Sequence, residues 1–127
     1  MKRALAILFL ALTAAPALGA GRASLNVYFQ SNLKNTGYQN RTFEKVVRAW
    51  KAPAASQTPE VGKKTVVQAV IAKDGKLISA VVSMSSGKKG WDAATLAAVK
   101  SAAPFDPLPE GFAPPTVEVH FHVSVVP

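Results

Sequence analysis

Thr116-Val117-Glu118-Val119-His120-Phe121-His122-Val123-Ser124-Val125 alternates between apolar and polar residues without a break. Successive side chains of a strand point to opposite faces, so this segment reads as a β-strand with Val117, Val119, Phe121, Val123 and Val125 on one side. Thr116, Glu118, His120, His122 and Ser124 make the other side. One apolar and one polar face is the pattern of a sheet covered on one side only.

Working back from that strand, Pro107, Pro109, Pro114 and Pro115 make the preceding stretch extended and stiff. Before it, Trp91–Ala103 is an alanine-rich helix of high intrinsic propensity, closed by Pro104. Leu96, Val99 and Ala103 form its expected buried stripe, and Asp92 complements the dipole in its first turn. Further back, Thr65–Ile71 and Leu77–Met84 flank Asp74-Gly75, a strong hairpin signal for a two-residue turn. Pairing outward from that turn sets Ile71 against Ile78, Ala69 against Ala80, Val67 against Val82 and Thr65 against Met84. The opposite face pairs Val70 with Ser79, Gln68 with Val81 and Val66 with Ser83.

Before the hairpin, Phe43, Val46, Val47 and Trp50 fall at i, i+3, i+4 and i+7, one stripe of a helix over Arg41–Lys51. Asn40 or Thr42 is its expected cap, and Pro53 its stop. The order helix–strand–strand–helix–strand is α+β. A right-handed helical crossover returns the last strand beside the first, giving a three-stranded sheet of order 2-1-3 with two helices on one face. The last strand then runs antiparallel to the first and parallel to the second, and both outer strands are edges.

The chain has 127 residues, and its hydrophobic fraction of 49% excludes a disordered protein. It has no cysteine, which excludes a disulfide scaffold and any thiolate zinc site. The formal charge of +8 invites a nucleic-acid reading, but Lys2 and Arg3 belong to something else. They precede an apolar run from Ala4 to Ala15 and the small-residue stretch Ala17-Leu18-Gly19, the layout of a secretory signal peptide over residues 1–20. Export removes the chain from chromosomal DNA, so no nucleic-acid partner is expected. If the segment is not cleaved, the chain is instead anchored in the inner membrane and faces the periplasm.

Residues 21–37 show no period and read as an irregular lead-in, with the folded domain over 38–127. Within the lead-in, Asn26–Asn32 is similar to an engineered protease site, with Leu25 where that site has Glu, and it enters no fold reasoning. Fully extended, residues 21–40 reach roughly 66 Å at about 3.3 Å per residue.

Catalytic chemistry is poorly represented. Ser85-Ser86-Gly87 lacks the nucleophile-elbow pattern and reads as a turn with capping hydroxyls. Gly87-Lys88-Lys89-Gly90 lacks the Walker spacing. His120 and His122 project from one strand face and can hold a metal only with further ligands, Glu118 being the local candidate. No catalytic residue, resident metal or cofactor is expected.

Taken in order, the motifs are Trp50-x-x-Pro53, Val67-x-Ala69-x-Ile71-x-x-Asp74-Gly75, Ser85-Ser86-Gly87, Trp91-Asp92-x-Ala94-x-Leu96-x-Ala98-Val99 and Ala103-Pro104-Phe105-x-Pro107-Leu108-Pro109, followed by the alternating strand. The series resembles the C-terminal domain of the TonB and TolA energy transducers over about residues 38–126. The resemblance implies a periplasmic, non-enzymatic module that binds short segments of envelope or outer-membrane receptors. It also implies a partner strand added beside Thr116–Val125, with Thr116, Glu118, His120, His122 and Ser124 as the partner-binding side chains. An edge strand suits such addition because its backbone groups are unpaired. Two other readings stand beside it. One is a self-associating module, a homodimer using Val66, Val70 and Val81. The other binds metal or anions through the histidines or the pairs Lys63-Lys64 and Lys88-Lys89.

Overall fold

A computed structural model of the chain describes residues 10–12 and 22–127. Apart from residues 10–12, the expected signal peptide lies outside the described residues. The elements are β1 (Leu10–Leu12), β2 (Arg22–Phe29), α1 (Thr36–Ala49), a 3-10 turn at Ala55–Gln57, β3 (Lys64–Ala72), β4 (Leu77–Met84), α2 (Lys89–Ala102) and β5 (Thr116–Val126). They form an α+β domain around one sheet of order β1-β2-β5-β3-β4, antiparallel at every pairing.

The expected arrangement of three strands is present as β4-β3-β5. The expected strand count is too low, because β2 pairs along the outer side of β5 from Arg22↔Val126 to Phe29↔Val119. The stretch read as an irregular lead-in is therefore a strand, and β5 is not an edge. The reason is visible in the residues. Ala23, Leu25, Val27 and Phe29 alternate with Ser24, Asn26 and Tyr28, and all four apolar side chains are completely buried. Burying the three larger ones contributes about 1.5–3 kcal/mol each, so β2 is part of the core.

α1 also starts earlier than the apolar stripe suggests. Asn35 is the N-cap, its Oδ1 accepting from the Tyr38 amide at 2.8 Å. The cap satisfies one of the orphan amides of the first turn, which lets the helix begin at Thr36 without an apolar residue there. Tyr38, Thr42, Phe43 and Val46 form its buried side.

The hairpin turn differs by one residue. Gly75 alone takes a positive φ, +95°, while Asp74 does not. The Gly75 amide donates to Ala72 O at 2.9 Å and the Ala72 amide to Lys76 O at 2.8 Å, closing a three-residue loop of Lys73, Asp74 and Gly75. The Asp74 carboxylate accepts from the Lys76 amide instead of entering the left-handed region. The central pairs Val67↔Val82, Gln68↔Val81, Ala69↔Ala80 and Val70↔Ser79 match the sequence expectation. The end pairs become Ile71↔Leu77 and Val66↔Met84, because the register shifts at both ends of the hairpin.

α2 lies over β3 and β4, and α1 over β2 and against α2. Trp91 fixes α2 to the sheet, its indole N–H donating to Val123 O at 3.2 Å. Trp50 meets it edge to face with ring centroids 5.1 Å apart. Leu96, expected in the buried stripe, is only half-buried, and Trp91, Thr95, Ala98, Val99 and Ala102 take the inner side.

Candidate functional site

Thr116, Glu118, His120, His122 and Ser124 share the outer face of β5, all half-buried. They lie inside the sheet, not at its rim. His120 stands between Gln68 of β3 and Tyr28 of β2, His122 between Val66 and Asn26, and Ser124 between Lys64 and Ser24. The Glu118 carbonyl is also taken, accepting from the Gln30 amide at 3.0 Å. The expected open edge along the last strand is thus corrected: from Val119 to Val126 it has β2 on one side, and over Thr116–Ser124 it has β3 on the other. An added segment must first expel β2 and its buried apolar side chains.

The five residues do form a local polar cluster. His120 Nε2 lies 2.6 Å from Glu118 Oε2. His122 packs edge to face on Tyr28, centroids 4.6 Å apart. Burial pushes the His122 imidazole down to about 4, helped by the charges of Lys64 and His120. His122 is therefore a neutral ring packed in the sheet at neutral pH. Among the described residues no group of three His, Cys, Asp or Glu side chains converges to hold a metal ion.

The Ser85-Ser86-Gly87 loop is tied to α2 through Asp92. One carboxylate oxygen accepts from Thr65 Oγ1 at 2.5 Å, the Ser86 amide at 2.9 Å and Ser86 Oγ at 2.8 Å. The other accepts from Ser85 Oγ. Burial raises the Asp92 pKa, but the hydrogen bonds from Ser85, Thr65 and Ser86 outweigh it and hold the carboxyl below its usual range. The serines donate to a fixed carboxylate while their hydroxyls accept from the Gly87 and Lys88 amides, which holds the turn that the sequence suggests.

The sheet ends in β4 on one side and in β1, next to β2, on the other. β4 carries Ile78, Val81, Val82 and Met84, four of the five exposed large hydrophobics among the described residues. Its pairing with β3 shifts register near both ends. Towards the other end, β2 lies between β1 and β5, and its register against β5 is regular over eight residues. Its outward-alternating residues Arg22, Ser24, Asn26 and Tyr28 carry no strand signal of their own. The signal that finds them is the alternation of Ala23, Leu25, Val27 and Phe29 between them. β1 pairs with this strand at Leu10↔Leu25, Ala11↔Ser24 and Leu12↔Ala23. Among the described residues, no helix is long and apolar enough to cross a membrane.

The family model described as TonB C terminal matches residues 35–121. No curated protein matches the chain, and no solved structure does.

Proposed function

The chain belongs to the TonB C-terminal family, whose model covers more than half of it, and we propose that it is an exported envelope module that binds segments of other proteins in extended form. The family is a non-enzymatic protein-interaction domain, which supports protein partners in general. The finer reading assigns it receptor or other envelope segments in the periplasm. The single observation that carries strand addition is the open, antiparallel sheet itself, whose outer strands can accept another strand by main-chain hydrogen bonds.

Residues 22–29 and 36–49 are folded into the domain as β2 and α1. The stretch over residues 21–40, which fully extended would reach roughly 66 Å at about 3.3 Å per residue, is therefore largely taken up by β2 and the start of α1. The proposed role is that of an adaptor or a competitor for receptor segments. Calorimetric titration with short peptides from the periplasmic ends of outer-membrane receptors tests this. Saturable binding that adds β-structure by infrared spectroscopy supports the reading, and an absence of binding across such a panel contradicts it.

Self-association is favoured by a separate observation, the apolar stripe of Ile78, Val81 and Met84 on β4, with exposures of 59%, 56% and 52%. Of the side chains expected at such an interface, Val81 is exposed, Val70 is half-buried and Val66 is buried. Light scattering decides it: a mass that stays monomeric over a wide concentration range removes the homodimer.

A further inference from the structure

The helical layer carries its charge unevenly. α1 and α2 pack on the sheet and on each other, so their outer surface points away from the strands. Between their C-terminal ends lies an open groove of about 420 Å³, lined by Lys45, Arg48, Ala49, Lys51, Ser101 and Ala102. Three of these six residues are cations and none is an acid. Glu44 is the one acidic residue of α1, and it does not line the groove.

We propose that this groove and the helical surface around it dock on a membrane of anionic phospholipid. The site is independent of strand binding, which uses the sheet and not the helices. Three observations carry it.

First, the charges are uncompensated. Lys45, Arg48 and Lys51 make no ion pair with a described residue, whereas Arg41, one turn earlier, is neutralised by Asp106. Lys45 Nζ donates to the Pro104 carbonyl at 3.3 Å, which holds the ammonium towards the end of α2 without cancelling its charge. Lys100 adds a further cation in the last turn of α2, beside Ser101.

Second, the cations are spread out. From Lys45 to Lys51 a helix advances about 9 Å, and Lys100 stands on the other helix. Several anionic groups side by side match that spread better than one phosphate does. Third, the floor of the groove offers no anchor. Ala49, Ser101 and Ala102 are small, and no aromatic side chain lines it. A protein partner draws its affinity from side chains seated in fitted pockets, whereas an anionic lipid surface attracts Lys and Arg through charge alone. With the helices against lipid, the outer face of the sheet stays turned away from the membrane and open to a protein partner.

The test sediments the full chain with vesicles of phosphatidylcholine, with and without phosphatidylglycerol. Binding to the mixed vesicles that weakens with added salt is the expected result. An apolar contribution of the N-terminal segment registers equally with both compositions, so equal binding to the two overturns the proposal. Each cation near such a surface is worth roughly five-fold in partition. Arg48→Gln with Lys51→Gln, both exposed positions, should therefore weaken binding about twenty-fold while the thermal melt stays cooperative. Lys34→Gln with Lys76→Gln removes the same charge from outside the helices and should weaken it less than about three-fold. Equal losses in the two variants overturn the assignment to this face. On the unaltered, isotopically labelled chain, nitroxide-labelled lipid should broaden the amides of Lys45–Lys51 and Lys100–Ala102, and broadening confined to the strands overturns it. Polyglutamate bound in preference to the vesicles, charge for charge, assigns the face to an acidic protein segment and overturns the lipid reading. None of these outcomes bears on the receptor-peptide panel above, which reports separately on strand binding.

Discussion

The Phe105 amide donates to the Gly75 carbonyl at 2.9 Å, and a β-carbon built on Gly75 would stand 2.1 Å from the Phe105 carbonyl oxygen. Two sequence motifs thirty residues apart thus form one structure, the hairpin turn and the proline-rich exit of α2. Leu108 continues the contact by donating to Lys73 O at 2.9 Å. Gly75→Ala meets both a positive φ and a backbone clash, and the backbone cannot rotate away as a side chain can. A loss of at least about 3 kcal/mol is expected. Gly87→Ala is the control: its φ is +94° but nothing lies within 4 Å, so only about 1–2 kcal/mol is expected. Urea melts of the two variants check the difference.

Asp92→Ala removes the acceptor shared by Thr65, Ser85 and Ser86. It leaves three hydroxyls and the Ser86 amide to find water. Hydrogen bonds to a charged group contribute about 1.5–3 kcal/mol, and a destabilisation of that order is expected in a thermal melt. Asp92→Asn, which keeps one acceptor oxygen, should recover part of it.

The domain should lose stability on acidification in two separate windows. His122 is depressed from 6.5 to about 4 in the folded state. Its contribution is complete above pH 6.5 and falls as the pH drops from there to about 4, since the unfolded chain takes up the proton first. The groups facing it are Tyr28 from β2, Lys64 from β3 and His120 from its own strand. Asp92 is also depressed, so its contribution is complete above the usual carboxylate value of 3.8 and is lost below it. Chemical melts from pH 8 to pH 3 should show both declines, and His122→Gln should flatten only the upper one.

Leu25→Ala should destabilise the domain by about 2–5 kcal/mol, the range for a fully buried leucine. A lead-in outside the domain would show no change. Denaturant unfolding with an unaltered m-value measures it directly.

The parts of the fold legible in the sequence are those where one physical signal acts alone. β5 alternates over its whole length, and the four central pairs of the β3–β4 hairpin follow from counting outward from Gly75. The ends of that hairpin were not legible. Their register depends on Asp74 declining a positive φ, and two residues equally compatible with a turn cannot be told apart by type alone. β2 was hidden for another reason. Tyr28, Asn26 and Ser24 dilute a short alternation into something that reads as polar and aperiodic, and only pairing with β5 shows that Ala23, Leu25, Val27 and Phe29 face one core. The candidate site inherited that gap. Glu118, His120 and His122 do share one face as alternation requires, yet whether a strand is an edge is decided by its neighbours and not by its own residues.

A proline in β5 separates the two views of that strand. His120→Pro in an edge strand can leave the fold intact, but inside a sheet it breaks a ladder flanked by β2 and β3. Loss of the cooperative melt is expected for this variant.

The most direct measurement of the central claim is amide hydrogen exchange along Val119–Val125, the stretch paired with both neighbours. With β2 on one side and β3 on the other, consecutive amides of β5 should all be protected, while those of β4 alternate between slow and fast. Alternating protection along β5 would mean that its outer side is open, and would contradict the account.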